Sequence, residues 1–369
     1  FRRVLFRSAL RRSHRDRSFG RMAAVGVALR RRVDRSTFRC DERSDMPANR
    51  RDFLCAAAAG TAAAASRLSW FASSAVAKDP SVRELLPIVD THQHLWDLKQ
   101  LELPWLKGDA VAEIRRSYLT TDYAEATKGL NVVKSIYMEV NVAPSDQVKE
   151  AEFVLELCRG GKTPMVAAVI GGSPQDRSFG EYIAKFQGNP FLKGVRTVLH
   201  DPDRPKGMCL EPTFVDSMKR LGDQKLSFDL CMRSSEIADG ARLAEKCPGT
   251  KFIVDHCGNM DVTSTDPAAR RQWMDGMKAA ASLPNTACKI SGIVVTEGWK
   301  PADLAPNIDF CLETFGDDRV FFGGDWPVCT LKSSYAQWVA ALKEIVSGRT
   351  REFQKKLFHD NAVAFYGLK

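Results

Sequence analysis

Ile88-Val89-Asp90-Thr91 runs directly into His92-Gln93-His94, and this short stretch sets the reading of the rest of the chain. Its first four residues have the apolar, β-branched character of a buried strand. The two histidines then close it at spacing i, i+2, which on a strand puts both on one side. Outward from here, similar runs recur at 132–140, 165–171, 192–199, 226–232, 251–257, 286–291 and 320–324. Amphipathic stretches fill the intervals, at 121–129, 145–159, 178–187, 211–223, 235–246, 267–282, 301–315 and 335–347, and a last one at 351–365 closes the chain. Alternation of this kind implies a parallel sheet covered by helices. Eight repeats predict an α/β protein, a (β/α)₈ TIM barrel preceded by an N-terminal leader segment, and the 369 residues leave room for the roughly 250 that such a barrel needs. No GxGxxG loop follows the first run, which argues against a dinucleotide-binding sheet.

Two imidazoles a few ångströms apart are costly in an apolar interior unless a divalent cation or an anionic substrate satisfies them. The chain has six histidines, and a third, His256, ends the sixth run in Phe252-Ile253-Val254-Asp255-His256-Cys257-Gly258. Asp325 ends the eighth, in Gly323-Gly324-Asp325-Trp326-Pro327. Strand C-termini are where barrel enzymes gather their chemistry. Three imidazoles and one carboxylate (His92, His94, His256, Asp325) make an N/O shell suited to one divalent metal, zinc before others, with room for water. The blander alternatives are a satisfied core histidine and, for Asp325, a turn cap ahead of Trp-Pro. Convergence of all four on one face favours chemistry.

The formal charge of +9 belongs to the leader rather than to the body. Residues 1–45 hold 14 Arg against 5 acidic residues, whereas 37 Lys and Arg face 39 Asp and Glu after residue 77. With no basic stripe in the body, nucleic acid is not the expected partner; a small-molecule substrate is. Met46, the pair Arg50-Arg51 before Phe53-Leu54, the small apolar run 55–65 and Ala75-Val76-Ala77 follow the order of an export signal of the twin-arginine type. The expected organisation is therefore a spurious or disordered extension over 1–45, a signal over 46–77 directing the protein to the periplasm, and the catalytic barrel over 78–369. No stretch reaches the 18 or so apolar residues of a membrane span. Eight cysteines remain after Ala77, with no CxxC spacing, and read as buried thiols.

The motifs "DTHQHLWDL…LPWL", "LKGVRTVLHD", "FIVDHCGNMD", "CKISGI" and "FFGGDWPV" resemble those of the amidohydrolase superfamily, and within it the amidohydrolase-2 group of sugar lactonases and dicarboxylate lactone hydrolases. The resemblance covers the chain from about residue 86 to its end. It implies a distorted TIM barrel that hydrolyses a carboxylic ester or lactone. In that reading Asp325 takes a proton from water, while His92, His94 and His256, with or without an ion, activate the carbonyl. Many metal-dependent members of the superfamily carry a Lys or His on strand five, and 226–232 supplies neither. The departure points to one ion or none.

Further candidates for substrate binding are Arg196 late in the fourth run, His200 beyond it, Arg233 after the fifth, Glu139 near the end of the second, and Trp96 in the long aromatic segment 95–119. That segment reads either as a lid over the site or as a packing plug. Lys289 and Ser291 share a face of the seventh run, Lys289 as a possible partner in a structural ion pair. The rival activities are a decarboxylase of the same superfamily and a non-catalytic periplasmic ligand-binding protein.

Overall fold

A computed structural model describes residues 85–292 and 297–369. The expected extension (1–45) and export signal (46–77) lie outside the described residues. Eight parallel strands, β1 (Ile88–Gln93), β2 (Val132–Met138), β3 (Met165–Gly171), β4 (Leu192–Val198), β5 (Ser227–Cys231), β6 (Lys251–Val254), β7 (Thr286–Ile290) and β8 (Val320–Phe322), pair in chain order in one sheet. Each is followed by a helix: α1 (Thr120–Ala126), α2 (Gln147–Gly160), α3 (Phe179–Ala184), α4 (Pro212–Asp223), α5 (Ile237–Lys246), α6 (Pro267–Ala281), α7 (Pro301–Phe315) and α8 (Tyr335–Ile345). The protein is thus a TIM barrel. The terminal helix expected over 351–365 is present, running from α9 (Arg351–Lys355) through an inline π turn at Lys356–Asp360 into α10 (Asn361–Tyr366). No helix among the described residues is long and apolar enough to cross a membrane.

Two apolar layers hold the barrel. Outside it, residues such as Phe228, Leu230, Val254 and Phe322 pack beneath the helices. Inside, Val89, Ile136, Met138, Val169, Ile253 and Phe321 form a basal layer that α10 closes with Ala362 and Tyr366. Asn361 anchors that plug, its Nδ2 donating to the carbonyls of Asp317 and Val320, each at 2.7 Å. The cysteines after Ala77 are all buried and unbridged.

The last seam closes differently from the other seven. β8 stops at Phe322, and the bonds to β1 come from the residues after it. Asp325 N donates to His92 O at 2.7 Å and His94 N to Trp326 O at 2.8 Å. Below them the Thr91 hydroxyl reaches Phe322 O at 2.7 Å. Asp90 staples the same seam from outside. Its Oδ1 accepts from Gly324 N (2.7 Å) and His92 N (3.0 Å), and its Oδ2 from the hydroxyls of Tyr123 (2.8 Å) and Tyr335 (3.0 Å).

Segment 95–119 packs as a plug. The Trp96 indole donates to Arg116 O at 2.6 Å, and its ring meets Trp105 and Tyr118 edge-on. Tyr118 in turn abuts Trp326. Trp96 is fully buried. The expectation that it touches substrate therefore gives way to a packing role, which locks the loop after β1 against the turn after β8.

Candidate active site

His92, His94 and Asp325 meet at the C-terminal end of the barrel. His94 Nε2 lies 3.2 Å and His92 Nε2 3.7 Å from Asp325 Oδ1, and the two imidazole rings stand edge-to-face at 4.9 Å. The β1–β2 register shifts between Asp90 and Gln93, yet both histidines still reach the same carboxylate. Asp325 is held at φ 53°, a left-handed conformation that a non-glycine residue adopts at a cost and that recurs at functional sites. Its own N–H bond to His92 and the bond from Cys329 N to its carbonyl (2.8 Å) keep it there.

His256 stands apart from this triad. β6 ends at Val254, and the chain then turns left-handed through His256 (φ 54°), Cys257 and Gly258. The His256 ring packs 4.5 Å from that of His92, and its Nδ1 bonds the Ser291 hydroxyl at 3.0 Å. The donor atoms that lie mutually close form two groups sharing His92: His92, His94 and Asp325, and His92, Asp255 and His256. The four expected ligands are therefore neighbours rather than one shell.

Beneath them lies a buried ionic layer. Asp229 on β5 and Lys289 on β7 make a direct ion pair across the barrel. Lys289 Nζ is also 3.4 Å from Asp255 Oδ1, and Asp255 Oδ2 is 3.8 Å from Arg196 NH1. Arg196 on β4 spends Nε on Glu139 Oε1 and NH2 on Glu139 O, both at 2.6 Å, and aims NH1 at His92 Nε2, 3.1 Å away. Burial raises the Asp229 carboxyl to about 7 against the pull of Lys289. Burial also opposes ionisation of Asp255, but Lys289, His256 and Arg196 together outweigh it and hold that carboxyl below its usual range. His92 is driven well below the ordinary imidazole range, first by burial and then by the surrounding cations. Burial likewise lowers His256, against Asp325 and Asp255.

These contacts fix the hydrogen positions. A guanidinium only donates, so His92 Nε2 carries a lone pair. His94 faces acceptors at both nitrogens: Met138 O, 2.9 Å from Nδ1, and Asp325 Oδ1 at Nε2. Nδ1 donates to Met138 O, which leaves Nε2 and Asp325 Oδ1 facing one position that a cation could occupy. Two imidazole nitrogens and a carboxylate around such a position fit one divalent cation. A cation bound to His92 Nε2 would compete with Arg196 for the same lone pair, while Glu139 keeps the guanidinium anchored.

Exposure separates working atoms from supporting ones. Asp325 (8%), His256 (7%), Arg196 (5%) and His94 (4%) retain contact with the mouth, whereas His92, Asp229, Asp255 and Lys289 have none. His200 lies half-buried on the loop after β4, its Nδ1 3.4 Å from Cys231 Sγ. Arg233 spends its guanidinium on Glu236, Asp201 O and Arg204 O, and so ties the loops after β4 and β5 together. Glu139 is committed to Arg196. Asp90, Asp229 and Asp255 carry no role that the sequence alone assigns, although each is an acid inside an apolar run.

Gly292 supports the site by having no side chain. Its φ is 60°, and a Cβ there would fall 2.1 Å from His256 Nδ1. Gly292→Ala is expected to push the His256 ring off Ser291, lower the turnover rate at least tenfold and destabilise the fold by about 1–3 kcal/mol. Steady-state kinetics and a melting curve on the purified variant check both.

The amidohydrolase family model matches residues 89–368. An uncharacterized protein of Sinorhizobium fredii is 30% identical over 302 residues, covering 76% of this chain and 98% of the relative. The L-fucono-1,5-lactonase of Burkholderia multivorans is 27% identical over 69% of this chain and 87% of its own length. Among solved structures, an amidohydrolase from Burkholderia multivorans with bound zinc superposes with a TM-score of 0.69 at 23% identity, covering 77% of this chain and all of that one.

Proposed function

We propose that this chain, which belongs to the amidohydrolase family, is a lactonase that opens a sugar-derived lactone by attack of water. The observation that carries the reading is the placement of Asp325. It is a carboxylate at the open end of the barrel, beside two imidazoles, one of which also meets the Arg196 guanidinium. The lactonase named above, similar over most of its length, supports the bond type.

In this mechanism Asp325 accepts the proton of the attacking water, a role that needs an ionised carboxylate in contact with the pocket. Arg196 NH1, 3.1 Å from His92 Nε2, is the donor placed to stabilise the oxyanion that forms as the carbonyl is attacked. His92, dry and neutral, fixes Arg196 NH1 by accepting from it. Asp325 then returns its proton to the ring oxygen as the ester bond breaks. A divalent ion held by His92, His94 and Asp325, zinc by our reading, would polarise the carbonyl when bound. His256, oriented by Ser291, faces the substrate from the β6 side.

The test is a panel of aldono-1,4- and 1,5-lactones assayed by proton release, with and without chelator, beside an ortho-hydroxybenzoate assayed for CO₂. Lactone opening with no CO₂ is expected. CO₂ release with inert lactones would assign the site to decarboxylation, and tight binding without turnover of either would make it a receptor. Elemental analysis of the same preparation reads the metal.

A further inference from the structure

We propose that the end of the barrel opposite the reaction centre binds a small organic anion, an acidic head on an apolar body. A cavity of about 620 Å³ lies between the turns that lead into β4 and β5 and the helix α10. Its volume is in the range of small-ligand sites, roughly 300–1,000 Å³. Phe186, Leu192, Leu226 and Phe365 supply apolar lining, and Lys193, Lys225 and Lys251 supply three ammonium groups. The one acidic side chain in the lining is Asp223.

None of the three lysines makes an ion pair among the described residues. What sets them apart is their gathering around one cavity with a single acid in its lining, in a body where acids slightly outnumber bases. Lys251 is held in place: Nζ donates to Phe365 O at 3.0 Å and stands 4.9 Å from the centre of that ring. The Lys193 ammonium is disfavoured by partial burial and by the neighbouring Lys369. A bound anion would relieve both penalties. Lys225 is presented from a left-handed turn at φ 59° immediately after α4.

Three lysines in the lining of one concavity offer an anion several ammonium donors, and the aromatic and aliphatic lining gives its body an apolar surface. A polyanion such as nucleic acid would need a longer basic track than this. A carboxylate and a phosphate monoester share the required chemistry. The site lies across the basal layer from Asp325, so its occupancy is readable without reference to turnover.

Isothermal titration of the full chain with phenyl phosphate, benzoate and inorganic phosphate, at constant ionic strength, tests the idea. One saturable site per chain is expected for phenyl phosphate or benzoate, whichever head the lysines prefer, with inorganic phosphate at least tenfold weaker. Lys193→Gln with Lys251→Gln should weaken the preferred ligand at least tenfold and leave the melting temperature in buffer unchanged. Lys225→Gln, on an exposed turn, provides an independent variant and should weaken it several-fold. The absence of saturable binding, equal affinity for inorganic phosphate, or full affinity in the lysine variants would each overturn the proposal.

Discussion

Asp325→Asn should lower kcat for lactone opening by about 10³-fold, within the range that a lost general base costs, while the melting temperature moves little. The replacement is nearly isosteric, and the backbone bonds that hold residue 325 in its left-handed conformation, to His92 O and from Cys329 N, do not involve the side chain. What disappears is the negative charge 3.2 Å from His94 Nε2 and 3.7 Å from His92 Nε2. An amide can still orient water but cannot accept its proton. KM should change less than kcat, because the donors that grip the carbonyl remain. Metal content measured on the variant separates loss of a base from loss of a ligand. Full turnover in Asp325→Asn would move the base elsewhere, with His256 the next group in contact with the mouth.

The largest expected effect on stability is at Lys289. Lys289→Met removes the cation that pairs directly with Asp229 and stands 3.4 Å from Asp255, all three fully buried. Breaking a buried pair from one side typically costs about 3–5 kcal/mol, since the partner's charge is left uncompensated. Replacing both partners by neutral groups is far milder, so Asp229→Asn with Lys289→Met should regain most of the loss. The pH dependence carries a definite sign. Burial already raises the Asp229 carboxyl to about 7, and loss of Lys289 raises it further. The folded variant then holds a proton that the unfolded chain releases, so its stability falls as pH rises. The deficit relative to wild type should be flat at acidic pH and widen above about pH 7, where the wild-type carboxyl ionises and the variant's does not, as chemical denaturation at several pH values would reveal. A constant deficit would mean that Asp229 is not the group left exposed to the loss.

Much of this was readable from the residues alone, for identifiable reasons. Buried parallel strands are short apolar runs, and their number and alternation with helices specify the barrel. The His-x-His pair and Asp325 sit at strand ends, where position and residue type together suggest chemistry. Partnership across the barrel was not readable. Lys289 could be suspected of an ion pair, but nothing local says that Asp229 on β5 and Asp255 just after β6 are its partners. His256 illustrates a different limit. Spacing places it at the end of a strand, whereas three residues in left-handed or glycine conformation, His256 to Gly258, carry it into a turn where its ring packs on His92 and its Nδ1 meets Ser291. Trp96 looked like a substrate contact because aromatic loop residues often are, and only the indole bond to Arg116 O and the surrounding rings disclose a packing role.

The seam between β1 and β8 has a further consequence. The hydrogen bonds that close the ring belong to the backbone of the same residues, His92, His94 and Asp325, whose side chains compose the proposed centre. Catalytic competence and ring closure are one event, and neither half-barrel holds a complete set of reacting groups. Two separately expressed halves of this chain would each be inert, and any turnover on mixing them would be a direct meter of their reassembly.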